Sequence, residues 1–248
     1  MPESLAYPTS YYDTNVRSSL VLLNTMQRNS VYNLIFSSSA AVYSEKNIQP
    51  VKESGFLSGE NNPYAETKLV VEKLCQWVAN TDQKWKIGIL RYFNPVGAHE
   101  NGGLGDSCWR KTGSLFNNTV KFLKGEIPHL EVYGTNYNTK DGSCVRDFIH
   151  IDDLASAHIS VIDNIDKIEG YDVWNVGTGV GTTVLEFIKT CERIVKQPLN
   201  LKLCDKRNGD LVESFCDVSK AINELKFEPS YSLEDMIKHG FKFHNLIH

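Results

Sequence analysis

Leu34-Ile35-Phe36-Ser37-Ser38-Ser39 and, further on, Tyr64-Ala65-Glu66-Thr67-Lys68 decide how this chain reads. The first run is an apolar strand that ends in three hydroxyls. The second opens a long amphipathic segment with Pro63 in its first turn, where the missing N–H costs little. Tyr and Lys four apart on a helix share one face. An ammonium beside a phenol favours the phenolate, which suits Tyr64 to act as a general base near neutral pH. Open parallel sheets bind ligands at the C-terminal ends of their strands, so Ser39 can share a substrate hydroxyl with Tyr64. With eleven tyrosines in the chain, one Tyr-x-x-x-Lys match means little alone, and its surroundings must decide.

A length of 248 residues suits one large or two modest domains with a substantial core. The composition, 41% hydrophobic and 23% charged, is that of a soluble globular protein. A net charge of −4 and a pI near 6.0 give no case for nucleic acid or for an anionic membrane. Cysteines at 75, 108, 144, 191, 204 and 216 form neither Cys-x-x-Cys nor a regular spacing. That argues against a disulfide framework and a zinc site, and for a reducing, cytoplasmic compartment. No apolar run reaches the roughly 20 residues of a membrane span. The N-terminus lacks the basic and apolar regions of a signal peptide, and the sequon Asn117-Asn118-Thr119 is then inert.

The periodicity predicts a helix over 12–29 with Val16, Leu20, Leu23 and Met26 on its inner face, then a strand over 33–36 and a loop over 44–62. The Tyr64 helix should bury Leu69, Val70, Leu74, Trp77 and Val78, and a strand should run over 85–92. Strand, helix, strand in this order implies a parallel sheet. After Gly97 the pattern loosens, with a helix over 114–124, a strand over 130–133 and a polar loop over 134–143. Asp152 or Asp153 should cap a helix to 165 that buries Leu154, Ile159 and Ile162, and His158 in part. A strand over 172–176 and a capping box, Thr183 to Glu186, come next. A strand over 199–203, a short helix from Asp217 and a last helix capped by Ser232 finish the chain. No Gly-x-Gly-x-x-Gly fingerprint stands near the N-terminus. Gly177-Thr178-Gly179-Val180-Gly181 follows a strand and precedes a helix, but its spacing is wrong for a dinucleotide loop and it reads as a tight turn.

Together with Ser39, Tyr64 and Lys68, the run Arg91-Tyr92-Phe93-Asn94-Pro95-Val96-Gly97-Ala98-His99 resembles the UDP-glucose 4-epimerase family of extended short-chain dehydrogenase/reductases. The resemblance also covers Tyr11 to Val16, Phe36 to Tyr43, Asp141 to His150, Tyr171 to Gly181 and Arg207 to Leu211, in the family's order. It implies an α/β fold, a partial doubly wound (Rossmann-type) parallel sheet missing its first βα units, with a smaller mixed α/β substrate domain. Residues 1–95 would be the second half of the NAD-binding domain with the catalytic residues. Residues 96–248 would bind the UDP-sugar, with about 150–180 returning to the Rossmann sheet.

The resemblance implies NAD-dependent interconversion of UDP-glucose and UDP-galactose at C4, with Tyr64 as base, Ser39 bonding the same hydroxyl and Lys68 holding the nicotinamide ribose. Asn15, Ser37, Tyr92 and Phe93 would join Tyr64 and Lys68 at the cofactor. Ser39, Asn94, Ser114, Leu115, Tyr133, Arg146, Arg207, Asp210 and Ser214 would meet the UDP-sugar, the two arginines on its diphosphate. No metal is implied, and the family's usual partner is a second copy, through a helix bundle that includes the Tyr64 helix with Leu74, Trp77 and Val78.

Nucleotide-sugar 4,6-dehydratases carry Thr-Asp-Glu where this chain has Ser39-Ala40-Ala41, which disfavours their reaction; uronate decarboxylases remain a weaker alternative. Three departures from the family stand out. Its N-terminal portion, roughly three βα units with the Gly-rich pyrophosphate loop, is not in the sequence, so the polypeptide as given is expected to bind NAD weakly and to be inactive. A non-catalytic remnant that binds UDP-sugar or pairs with a full-length epimerase is the alternative. The family's Asn-Asn pair is replaced by Gly113-Ser114, next to an unusual Cys108-Trp109-Arg110-Lys111 run. Ser214 stands where some members have Tyr, and a small side chain there implies room for N-acetylhexosamines.

Overall fold

The computed structural model describes residues 2–59, 62–107, 113–207 and 210–247. Cys108-Trp109-Arg110-Lys111 and Asn208-Gly209 lie outside the described residues. Helices α1 (Pro2–Ala6) and α2 (Pro8–Tyr11) lead through a π-helical turn, Tyr12–Arg17, into α3 (Ser18–Arg28). Strand β1 (Asn33–Ser39), a 3-10 turn, Ala40–Val42, and helix α4 (Pro63–Thr81) bring the chain to β2 (Lys86–Tyr92). Then come β3 (Asn94–Val96), α5 (Leu115–Leu123), β4 (Leu130–Tyr133), β5 (Val145–Arg146), β6 (Phe148–His150) and α6 (Ile151–Asn164). The last part holds β7 (Gly170–Val176), β8 (Thr182–Thr183), α7 (Val184–Val195), β9 (Leu201–Cys204), β10 (Glu213–Ser214) and α8 (Leu233–Phe243).

The chain folds as two compact units. Unit 1 comprises Met1–Tyr92, Ser156–Val176 and Asp217–Phe227; unit 2 comprises Phe93–Ala155, Gly177–Cys216 and Glu228–His248.

Unit 1 is built on the parallel sheet β1-β2-β7. Side chains alternate between its faces, so the register sets rows across the strands. Leu34, Ile87 and Tyr171 form one row and Phe36, Ile89 and Val173 the next. Both rows pack on Val71, Cys75 and Ala79 of α4 and on Trp85. On the other face Gly88 matters for close approach: a Cβ there would lie 2.5 Å from Val161 Cγ1 of α6.

Three expected helix faces differ from those observed. On α4 the buried residues are Ala65, Thr67, Leu69, Val71, Glu72, Cys75 and Ala79, while Trp77 is 70% exposed and Val70, Leu74 and Val78 are half-buried. Small residues on the inner stripe let the helix sit close to the sheet, and the wide indole is left outside. Over 12–29 the π-helical turn rotates the helix after it, so Leu23 is buried and Leu20 is exposed. Along α6 the buried positions are Asp153, Ala157 and Val161, with Ile159 and Ile162 exposed; Gly88 makes room for Val161, which fixes that face.

Unit 2 holds three small sheets: β3 with β6 and β4 with β9, both parallel, and the order β10-β5-β8, with β5 antiparallel to β8. Its core joins Phe116, Val120, Leu130, Val132, Phe148, Phe187, Ile188, Met236, Ile237 and Phe241. Helix α8 starts with a full capping box between Ser232 and Asp235. The box expected on α7 is half made: Thr183 accepts from the Glu186 N–H, but the Glu186 carboxylate lies 3.6 Å from Lys140.

Candidate active site

In unit 1 the residues singled out by sequence gather at the C-terminal ends of β1 and β2 and the start of α4. Asn62 caps α4 by accepting from the Ala65 N–H, with Pro63 in the first turn. That sets Tyr64 in the first turn and Lys68 one turn later. Lys68 Nζ donates to the Ser37 carbonyl at 2.8 Å and lies 5.9 Å from the centre of the Tyr64 ring. Burial lowers the pKa of the Lys68 ammonium. Ser39 accepts from the Ala41 N–H at 3.2 Å, which turns the chain out of the strand. Among the described residues Ser39 and Tyr64 make no hydrogen bond to each other, and the Tyr64 ring meets Tyr11 edge-on with 6.2 Å between ring centres.

Around this pair, Tyr92 donates to Ser37 Oγ at 2.7 Å and also meets His158 Nε2. Burial raises the Tyr92 pKa; the Ser37 hydrogen bond opposes this and the Tyr64 phenol adds to it. Asn15 donates to Thr67 Oγ1 at 2.9 Å, which in turn donates to the Tyr64 carbonyl at 2.8 Å. Sequence reasoning assigns His158 no site role. Its partner Tyr92 lies on a distant strand, and no local pattern could have linked the two.

A second cluster, also missed, lies on the α4 side of the same sheet. In register, Ser38, Arg91 and Asn175 continue the apolar rows as a polar one. Glu72, fully buried on α4, accepts from Ser38 Oγ and from Arg91 Nε and Nη2 at 3.0 and 2.8 Å. Arg91 also donates to the Tyr43 hydroxyl at 2.9 Å and the Glu53 carbonyl at 3.0 Å, and Tyr43 donates to Asn175 Oδ1 at 2.6 Å. Buried charges persist only when paired and fully hydrogen-bonded. The spacing puts Glu72 on one face with Lys68, four residues before it, but that this face is buried shows only in the fold.

In unit 2 the residues assigned to the UDP-sugar fall into two groups. Asn94 is tied into the fold, its Nδ2 donating to the Asp147 carbonyl at 2.9 Å. Ser114 accepts from the Asn117 N–H to cap α5, which Leu115 opens. Phe93, expected at the cofactor, is buried at the start of this unit. The second group is more open. Arg146 is fixed by the Val145 and Leu211 carbonyls, both at 2.8 Å, and its Nη2 lies 3.9 Å from Asp210 Oδ1. Ser214 sits opposite Arg146 in the β5–β10 pairing. The Arg207 guanidinium stacks on Tyr133, 3.5 Å from the ring centre, and Lys206 lies 4.2 Å from the centre of Tyr137. Burial, with Cys144 and Asp210 nearby, pushes the Tyr137 phenol up to about 12. Three cations beside two aromatic rings and a carboxylate suit a nucleoside diphosphate: rings for a base, guanidinium groups for phosphate oxygens.

The glycine run after β7 has another task. Thr178 N and Oγ1 donate to Asp147 Oδ1 at 2.8 and 2.7 Å, and Gly179 N donates to Oδ2 at 2.9 Å. Cys216 adds its N–H at 3.3 Å. A Cβ on Gly177 would lie 2.6 Å from Asp147 Oδ2. The turn is an anion-holding nest, and the anion is the chain's own carboxylate. Burial raises the Asp147 pKa, against the pull of these donors.

A family model described as "NAD dependent epimerase/dehydratase family" matches residues 1–177. The UDP-glucose 4-epimerase of Pasteurella multocida is 39% identical over 240 residues, covering 95% of this chain and 70% of that protein. That of Bacillus subtilis is 36% identical over 97% of this chain and 71% of its own length. Among solved structures, the Bifidobacterium longum UDP-glucose 4-epimerase in complex with NAD+ and UDP superposes with a TM-score of 0.93 at 42% identity, over 98% of this chain and 72% of that one. The similarity joins the α/β fold, the parallel sheet and the Tyr64–Lys68 helix in one frame. The chain belongs to the NAD dependent epimerase/dehydratase family and, within it, to the UDP-glucose 4-epimerases, whose cofactor is NAD.

Proposed function

We propose that this protein interconverts UDP-glucose and UDP-galactose, with Tyr64 removing the proton from the sugar 4-hydroxyl and Ser39 bonding the same oxygen. The observation that carries this reading is the placement of Tyr64 and Lys68 one turn apart on α4, with Lys68 Nζ bonded to Ser37 at the end of the strand that bears Ser39. Ser37 Oγ, the Tyr92 hydroxyl and Lys68 Nζ give a donor and acceptor set that fits a nicotinamide riboside, with Asn15 and Phe93 completing the proposed cofactor residues. When bound, NAD supplies the acceptor that takes hydride from C4 and returns it to the other face. Lys68 holds a positive charge beside Tyr64, which stabilises the phenolate as the proton moves.

Arg146, Arg207, Tyr133 and Asp210 are proposed to hold the UDP moiety, with Asn94, Ser114 and Leu115 toward the sugar. Ser214 is proposed to leave room for a 2-acetamido group, so that UDP-GlcNAc competes with UDP-glucose. The exposed Trp77 on α4 supports a homodimer formed through that helix. A cytoplasmic location is proposed from the cysteine pattern; among the described residues no helix is long and apolar enough to cross a membrane.

The test supplies excess NAD and UDP-galactose to the 248-residue chain and, separately, titrates UDP by calorimetry. Conversion to UDP-glucose that Tyr64→Phe abolishes supports this assignment and overturns the expectation that the polypeptide as given is inactive. Arg207→Ala should weaken UDP binding about 10- to 100-fold, the worth of one charge-assisted contact to phosphate. Turnover that survives Tyr64→Phe refutes the base. A chain that binds UDP but converts nothing points instead to a UDP-sugar-binding protein without catalysis.

A further inference from the structure

The catalytic pair sits on two different elements, Ser39 on β1 and Tyr64 on α4, and a reaction at one oxygen needs both held in register. Proximity effects fall off steeply: misplacement by about 1 Å costs on the order of 10²-fold in rate. What fixes α4 along the sheet is therefore part of the chemistry. Tyr64, Lys68 and Glu72 succeed each other at intervals of four, so they form one stripe along α4. Lys68 reaches the Ser37 carbonyl, and Glu72 reaches Ser38 Oγ one residue further along β1. The other Glu72 contacts go to Arg91, which stands opposite Ser38 on β2.

We propose that Glu72 is a positioning residue for the reaction: by bonding Ser38 on β1 and Arg91 on β2 at once, it locks the height of α4 and so sets Tyr64 opposite Ser39. This rests on the proposed roles of Tyr64 and Ser39. Apolar packing gives only part of such a lock, because Leu69 and Val71 share the buried side of α4 with the small residues Ala65, Cys75 and Ala79, and apolar contacts are non-directional. A bidentate guanidinium–carboxylate pair tolerates little, since its two parallel hydrogen bonds fix both distance and orientation. Arg91 is itself held by the Tyr43 hydroxyl and the Glu53 carbonyl. Tyr43 is in turn held by Asn175 on β7. The lock thus refers α4 to all three strands of the sheet and not to β1 alone.

Ser38→Ala cuts the link to β1 and leaves the Glu72–Arg91 pair whole, so it separates position from gross stability. Val71→Ala, a buried truncation on the same helix with no polar tie, is the control. Peptide-level amide exchange on the full chain reads the tether without turnover. Segment 36–42 should exchange at least tenfold faster in Ser38→Ala and not in Val71→Ala. Kinetics, counted per UDP-binding site, should show kcat down about tenfold in Ser38→Ala with KM within twofold, and little change in Val71→Ala. Unchanged exchange in Ser38→Ala, or an equal loss of kcat in Val71→Ala, overturns the proposal. Tyr64→Phe, run in parallel, separates the two ideas: if it keeps full turnover, the site assignment has failed and not the lock. If the wild-type chain shows no turnover, as expected of the polypeptide as given, the exchange result alone decides the lock.

Discussion

Replacing Asp147 probes the filled nest directly. Its Oδ1 accepts from Thr178 N and Oγ1, and its Oδ2 accepts from Gly179 N and Cys216 N. In Asp147→Asn one oxygen remains for Thr178, while an NH₂ group turns toward two backbone N–H donors. Orphaning two buried donors at about 1–3 kcal/mol each gives about 2–6 kcal/mol. A neutral amide is easier to bury than a carboxylate, which burial already penalises here, so the lower end, about 2 kcal/mol, is expected. Asp147→Ala strands three backbone N–H groups, the Thr178 hydroxyl being able to turn away, and should cost about 4 kcal/mol. The assay is urea unfolding followed by far-UV circular dichroism, with UDP binding as a second probe of unit 2. If both variants stay within 1 kcal/mol of wild type, the nest holds nothing that water cannot replace and the reasoning fails.

Glu72→Leu should destabilise unit 1 by about 3–5 kcal/mol by leaving Arg91 buried without its counter-charge, and Glu72→Leu with Arg91→Met should recover much of that loss; chemical unfolding followed by Trp85 and Trp174 fluorescence reads both, and additive losses would contradict the pairing. Burial pushes the His150 and His244 imidazoles below their ordinary value near 6.5, with His239 and Lys124 adding to it and Asp152 and Asp153 opposing it at His150. The unfolded chain then takes up protons first as pH falls. Stability from these groups is whole above about pH 6.5 and is lost as pH drops toward the depressed native values, so melting of unit 2 should be lower at pH 5 than at pH 8. Equal melting temperatures at the two pH values would count against this.

Periodicity was enough to find β1, α4, β2 and β7 and to put Tyr64 and Lys68 on one face, because all of that is written within a few neighbouring residues. Periodicity puts Trp77 on the inner face of α4, whereas the face that meets the sheet carries Ala65, Leu69, Val71, Cys75 and Ala79 and the indole lies outside. Polar groups that meet across the fold were illegible for a different reason. Ser38, Arg91 and Asn175 are separated by long stretches of chain, and only the strand register brings them into one row, where Glu72 of α4 meets Ser38 and Arg91. The spacing of the glycine run 177–181 predicts a turn, which it is, but its occupant, Asp147, lies 31 residues before Thr178 in the chain and shows only in the fold. Tyr133 and Arg207 needed the β4–β9 pairing before their stacking could appear.

The chain passes between its two units at residues 92/93, 155/156, 176/177, 216/217 and 227/228. On a ribosome, β2 emerges long before β7, its neighbour on one side, and the segment 217–227 comes later still, with Glu224 there to receive Trp174 Nε1 and Lys220 to reach Asp172. A growing polypeptide therefore displays Ile87, Ile89 and Leu90 on a strand with an unpaired edge until β7 has been made. Contacts so distant in sequence close slowly. Neither unit can be cut out as one continuous piece, and a break anywhere before residue 227 leaves both unfinished, so the protein should be made whole and guarded by chaperones or be lost to aggregation.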